Sequence, residues 1–207
     1  MKTAEILALD STADKLSALL FKDRVSTPRL RSFKDKLHDP FVLECLVNTY
    51  YGWFNDPRIN DTLSPTLPKT REDIRNMFIT ERDNPLSRRF LIYADWNLVG
   101  HIGCPQIDPI KREAEIAYVN GCPNMHNWGI MTKALFELRY ELAPEVDRLT
   151  AIVQSHNVAS MNVLRENGFQ PMGTFIGVDG RERITFEGRT QPRPFIMTFP
   201  DQYHMAY

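Results

Sequence analysis

The sequence predicts an α/β domain with a mixed sheet, antiparallel in its first half and crossing over in parallel in its second. Phe90–Ala94 and Leu98–Ile102 are short apolar runs joined by Asp95-Trp96-Asn97, a tight turn, and together they read as a β-hairpin. Ala114–Val119 and Arg148–Gln154 are two more strand patterns, separated by an amphipathic helix. Strand, helix, strand in that order make a crossover, and crossovers between parallel strands are nearly always right-handed. Met131, Leu135, Leu138 and Leu142 give that helix, running from Gly129 to about Glu141, one apolar face.

The remaining elements follow in chain order. Residues 1–25 read as an N-terminal helical extension, with Ser11 capping and Leu16, Leu19 and Leu20 on one face; residues 26–207 form the main domain. Leu30–Phe33 is a strand. Asp39-Pro40 opens a helix with proline at its first position, followed by Phe41, Leu43, Leu46 and Tyr50. That helix ends in Trp53-Phe54-Asn55-Asp56-Pro57-Arg58, which leads into a loop, and Thr70 caps a further helix through Ile74 and Phe78. Asn157 starts a helix that stops at Gly168-Phe169. The tail reads as a strand at Met172–Ile176, a polar loop through Asp179-Gly180 and Arg181–Arg189, and a last strand at Phe195–Phe199.

Composition narrows the function classes. The chain has 207 residues and a net charge of −1, with neither half lopsided, so it lacks the basic footprint of a nucleic-acid binder. No run approaches a membrane span, and Glu5 interrupts what a signal peptide would keep apolar. Cys45, Cys104 and Cys122 show no CxxC spacing, which points to free thiols in a reducing compartment; a cytoplasmic location is expected. His38, His156 and His204 have no metal-ligand spacing, and no metal site is expected.

The most informative stretch is Glu115 to Leu135, a strand that feeds its loop straight into a helix N-terminus. First-turn N–H groups have no intrahelical partner, and the helix dipole favours negative charge there, so this turn is an anion pocket. With a second strand and helix following, a phosphate-bearing ligand held between adjacent strands is the natural reading.

Motifs along the chain resemble those of GNAT-superfamily N-acetyltransferases, nearest the RimJ/RimL-like group. They are Arg29-Leu30-Arg31, Trp53-Phe54-Asn55-Asp56-Pro57, Leu98-Val99-Gly100-His101-Ile102-Gly103, Ala114-Glu115-Ile116-Ala117-Tyr118, Gly129-Ile130-Met131-Thr132-Lys133-Ala134-Leu135, and Asn157-x-x-Ser160 with Gly168-Phe169. The likeness covers roughly residues 29–199 and implies the GNAT-like acyl-CoA N-acyltransferase fold, acetyl-CoA as co-substrate and an amine as acceptor. The family's pyrophosphate loop aligns with His126-Asn127-Trp128-Gly129-Ile130-Met131. Related chains often carry Gly-Lys-Gly where Asn127-Trp128-Gly129 stand here. Thr132 completes that loop, and Asn157 falls where family members meet the pantetheine arm.

Acyl transfer to an amine needs a neutral nucleophile, a polarised thioester carbonyl and a proton for the leaving sulfur. Glu115 is the favoured base, because a half-buried strand carboxylate has its pKa raised; a solvated or ion-paired glutamate is the alternative, and Glu113 is the backup. Backbone N–H groups at Tyr118 and Val119 are placed to bind the carbonyl where strands splay. The likeness gives Ser160 the role of protonating the thiolate, against that of an ordinary helix-surface residue. Leu164 occupies the position where many relatives use a tyrosine. His126 either contacts a phosphate or covers the loop, and His101 reads as a satisfied packing histidine rather than a catalytic one. The acceptor is a protein N-terminus or a small-molecule amine. A non-catalytic acyl-CoA-binding module is the rival reading, and a homodimer stays open.

Overall fold

The structure, a computed structural model, describes residues 28–63 and 67–191. The predicted helix within residues 1–25 and the strand Phe195–Phe199 lie outside them. The elements run β1 (Arg29–Ser32), α1 (Pro40–Asn55), α2 (Pro57–Asn60), α3 (Arg71–Asp83), β2 (Arg88–Ala94), β3 (Asn97–Cys104), β4 (Ile107–Asp108), β5 (Glu113–Glu115), β6 (Ala117–Asn120), α4 (Ile130–Leu142), β7 (Arg148–Gln154), α5 (Val158–Glu166), β8 (Gln170–Ile176) and β9 (Glu182–Arg189).

Local chemistry accounts for most boundaries. Asp39 Oδ1 accepts from Phe41 N at 2.8 Å and starts α1, and Thr70 Oγ1 accepts from Asp73 N at 3.1 Å and starts α3. The hairpin turn is tighter than the sequence suggests. Asp95 and Trp96 alone form it, at φ 47° and 68°, the twist that two-residue hairpins favour. Where a loop was expected after α1, Asp56 accepts from Arg58 N and caps the short α2 instead.

Two sheets result, ordered β1-β2-β3-β6 and β4-β5-β7-β9-β8. They are joined by what the sequence reads as one strand. Residues 113–115 pair with β7 in parallel and residues 117–120 pair with β3 antiparallel, so the strand breaks at Ile116 and changes partner. The polar loop expected at Arg181–Arg189 is corrected more sharply. Glu182–Arg189 is an inner strand, paired with β7 on one side and β8 on the other. Its inward residues include Phe186, fully buried, and Gly188, where any Cβ would stand 2.7 Å from the Phe169 ring.

Two cores form on opposite sides of the first sheet. α1 and α3 bury Tyr50, Phe54, Ile74 and Phe78 against Leu91 and Val119. On the other side α4 and α5 bury Leu135, Leu138 and Leu164 against Ile92, Ile102, Ile116 and Leu149. Burial of such side chains supplies roughly 1.5–3 kcal/mol each. Trp53 closes over Gly121, where a Cβ would meet the indole at 2.0 Å.

Candidate active site

The break at Ile116 makes the site. Ile116 N–H donates to Thr150 O at 2.8 Å, and on the opposite edge Gly121 N–H donates to Val99 O at 2.8 Å. Strand alternation then turns the Tyr118 N–H into the gap between β6 and β7, while the Val119 N–H faces β3. Of the two predicted carbonyl-binding amides, only Tyr118's opens on the gap; Val119 instead contributes a buried side chain to the α1 side.

Beyond the gap lies the helix turn. Gly129 caps α4 at φ 71°, and the first helical bond is Lys133 N to Gly129 O at 3.0 Å. The N–H groups of Ile130, Met131 and Thr132 therefore precede every intrahelical bond. Ile130 and Met131 bury their side chains in the core and offer only their backbones to a ligand. The Thr132 hydroxyl is already committed, donating to Glu166 Oε2 at 2.8 Å. Asn127 stands at φ 65°, a left-handed conformation that asparagine tolerates and β-branched residues do not. It thus adopts the backbone that glycine provides in related loops. Trp128 packs half-buried against the core, and His126 Nε2 lies 3.5 Å from Asn120 O. This turn is a ready anion cradle made of main chain.

Both the gap and the turn line one cavity of about 810 Å³, together with Glu115, Asn157 and Ser160. Glu115 ends β5 at the cavity wall. The residue is exposed rather than half-buried as expected, yet partial desolvation of its carboxyl still raises the pKa, and it has no ion pair or hydrogen bond among the described residues. Glu113, the backup, is taken by Arg148 in an ion pair. Asn157 caps α5, its Oδ1 accepting from Ser160 N at 3.0 Å. Ser160 Oγ in turn meets the Tyr118 hydroxyl at 2.6 Å. Leu164 is wholly buried, so no hydroxyl reaches the cavity from its position.

Four residues that the sequence reading left out or read differently sit behind the cavity. Arg89 and His101 reach its lining; Arg89 pairs with Glu81 at 2.8 Å, and His101 stacks on Tyr50 with ring centroids 5.1 Å apart. His101 is packed as expected but not satisfied. Its Nδ1, the Tyr50 hydroxyl, Arg89 Nε and Glu81 Oε2 are buried without a hydrogen-bond partner among the described residues. Burial holds the imidazole well below its ordinary pKa, with Arg89 adding to the effect. No spacing in the sequence announces them: the strand register sets Arg89 opposite Gly103, which opposes Ala117.

The acetyltransferase (GNAT) domain family matches residues 40–170. The chain belongs to the GNAT acetyltransferase family. Its activity class is acyl-CoA-dependent acetyl transfer. No relative was found among curated protein sequences. Solved structures share the fold at low identity. A RimL ribosomal L7/L12 alpha-N-protein acetyltransferase bound to coenzyme A is 20% identical with a TM-score of 0.64, covering 79% of this chain and 94% of its own. The microcin C7 self-immunity acetyltransferase MccE, bound to acetyl-CoA and AMP, is 18% identical with a TM-score of 0.61, covering 70% and 88%. A variant of the spermidine N-acetyltransferase SpeG from Vibrio cholerae is 14% identical with a TM-score of 0.62, covering 79% and 94%.

Within this GNAT domain the break between β5 and β6, the α4 turn and the cap of α5 bring Glu115, Tyr118, Asn127, Gly129, Asn157 and Ser160 to one cavity. Among the described residues no cluster of His, Cys, Asp or Glu could hold a metal ion, and no helix is long and apolar enough to cross a membrane.

Proposed function

We propose that this GNAT domain transfers the acetyl group of acetyl-CoA to the primary amine of a protein N-terminus. The observation that carries the transfer is the gap between β6 and β7. It opens the backbone N–H of Tyr118, has at its head a carboxylate unpaired among the described residues, and leads to the first-turn amides of α4, which precede every intrahelical bond. The thioester arm would lie in the gap with its diphosphate on the amides of Ile130, Met131 and Thr132 and with Asn157 beside the pantetheine. Tyr118 N–H would polarise the thioester carbonyl. Glu115 takes the amine's proton, directly or through water, and the nitrogen attacks the carbonyl carbon. The C–S bonding pair departs on sulfur, which Ser160 stabilises by donating a hydrogen bond, and water supplies the proton.

Lining charges favour a peptide over a polyamine. A polycation calls for several free carboxylates, whereas Glu115 and Glu166 share the cavity with Arg58, Arg89 and Arg183. Acetyl-dependent thiol release against a panel of peptides, polyamines and amino sugars tests this. A peptide carrying a free α-amine should turn over and its acetylated copy should not; turnover confined to spermidine would overturn the acceptor assignment. The reaction's setting would be the cytoplasm.

A further inference from the structure

We propose that Tyr118 is a positioning residue for this transfer: its side-chain hydroxyl orients Ser160 so that the serine's one hydrogen faces the departing sulfur. The inference rests on the reading that Ser160 serves the leaving group.

Tyr118 lies on β6 and Ser160 in the first turn of α5, 42 residues apart in sequence, and both line the cavity. The two hydroxyls stand 2.6 Å apart, a well-formed O–H···O distance. Either atom can donate, and the surroundings decide which does. A tyrosine hydroxyl has one hydrogen to place. Among the described residues its only other acceptor is the Ser160 carbonyl at 3.3 Å, beyond the normal range for such a bond. The tyrosine therefore donates to Ser160 Oγ and occupies one of its lone pairs. Backbone capping by Asn157, whose Oδ1 takes the Ser160 N–H, fixes the serine's own position. What remains free is the serine hydrogen, and the open side of Ser160 is the cavity.

Magnitudes exclude a larger role. Burial pushes the Tyr118 phenol up to about 12, whereas a thiol ionises near 8.5. Passing the tyrosine proton through to sulfur would run uphill by about three and a half pKa units. Tyr118 accordingly keeps its proton through the cycle. Its bond withdraws charge from Ser160 Oγ and strengthens the hydrogen bond that the serine offers as the C–S bond breaks. Without the tyrosine, the serine hydroxyl is free to rotate toward its own helix, where the preceding turn's carbonyls accept.

A purely structural strand-to-helix tie would also show this contact, so the test uses a double-mutant cycle. Wild type, Tyr118→Phe, Ser160→Ala and the double variant are compared for kcat, KM for acetyl-CoA, coenzyme A affinity by calorimetry, and Tm. Tyr118→Phe should lower kcat about tenfold with KM and coenzyme A affinity within about twofold, and the double variant should be no slower than Ser160→Ala. Three results would overturn the inference: wild-type kcat in Tyr118→Phe, a loss that multiplies onto Ser160→Ala, or a loss that falls on coenzyme A affinity instead. If Ser160→Ala is slow while Tyr118→Phe is not, Tyr118 is excused and the role of Ser160 stands. If Ser160→Ala is as fast as wild type, the underlying reading is what fails.

Discussion

Glu115 lines the cavity and has no cationic partner among the described residues, while the neighbouring Glu113 is held by Arg148. Partial loss of water raises its pKa, and a base works only when ionised. The acid limb of kcat/KM should therefore lie above the ordinary glutamate value, with activity falling as pH drops through it. Glu115→Gln should lower kcat by about 100-fold or more, leave coenzyme A affinity unchanged and remove that limb. Steady-state kinetics from pH 5 to 9 check this. Loop strain gives a second prediction at this scale. Asn127 sits at φ 65°, so Asn127→Gly should hold or raise both Tm and coenzyme A affinity, while Asn127→Val should cost about 1–3 kcal/mol in urea melts.

Elements were legible in the sequence where their cause is local. Asp39, Thr70 and Asn157 each cap the helix they announce, because a cap is chemistry within three residues. β7 is found at its predicted bounds because its apolar run has clear ends. β9 was not legible: Glu182, Arg183, Glu187 and Arg189 make ERITFEGR look like a solvated loop, although Ile184, Phe186 and Gly188 keep strand alternation on the inner face. The break at Ile116 was equally hidden, since alternation continues across it while hydrogen-bond partners change. Of the site, the helix turn, Glu115 and Asn157 could be read from type and order. The Tyr118–Ser160 pair and the Arg89–Glu81 pair could not, because register and packing, not spacing, bring them together. Packing between elements yields its own prediction. Gly121→Ala would drive a methyl into the Trp53 ring, and thermal melts should show a loss of about 1–3 kcal/mol or more.

Across the whole molecule, the two cores meet at the first sheet, and the buried polar group beneath the cavity links stability to pH. His101 has a folded pKa well below the ordinary 6.5, so the folded protein stays neutral there while the unfolded chain takes up a proton. Its contribution is present in full above about pH 6.5 and is lost as pH falls, by about 1.4 kcal/mol per pH unit. Glu81, whose pKa burial raises, acts with the opposite sign above the ordinary carboxylate range, so the comparison must be a difference. Urea melts of wild type and His101→Phe between pH 5 and 7.5 should converge as pH rises from a gap favouring the variant; a gap independent of pH would contradict the assignment. On the proposed reading the diphosphate of the acyl donor would rest on α4 and its thioester in the gap beside Tyr118. The most direct measurement is a crystal structure with coenzyme A bound. Diphosphate oxygens within about 2.7–3.2 Å of the amide nitrogens of Ile130, Met131 or Thr132, with the pantetheine arm between β6 and β7, are the expected result. Coenzyme A bound elsewhere, with that gap empty, would contradict it.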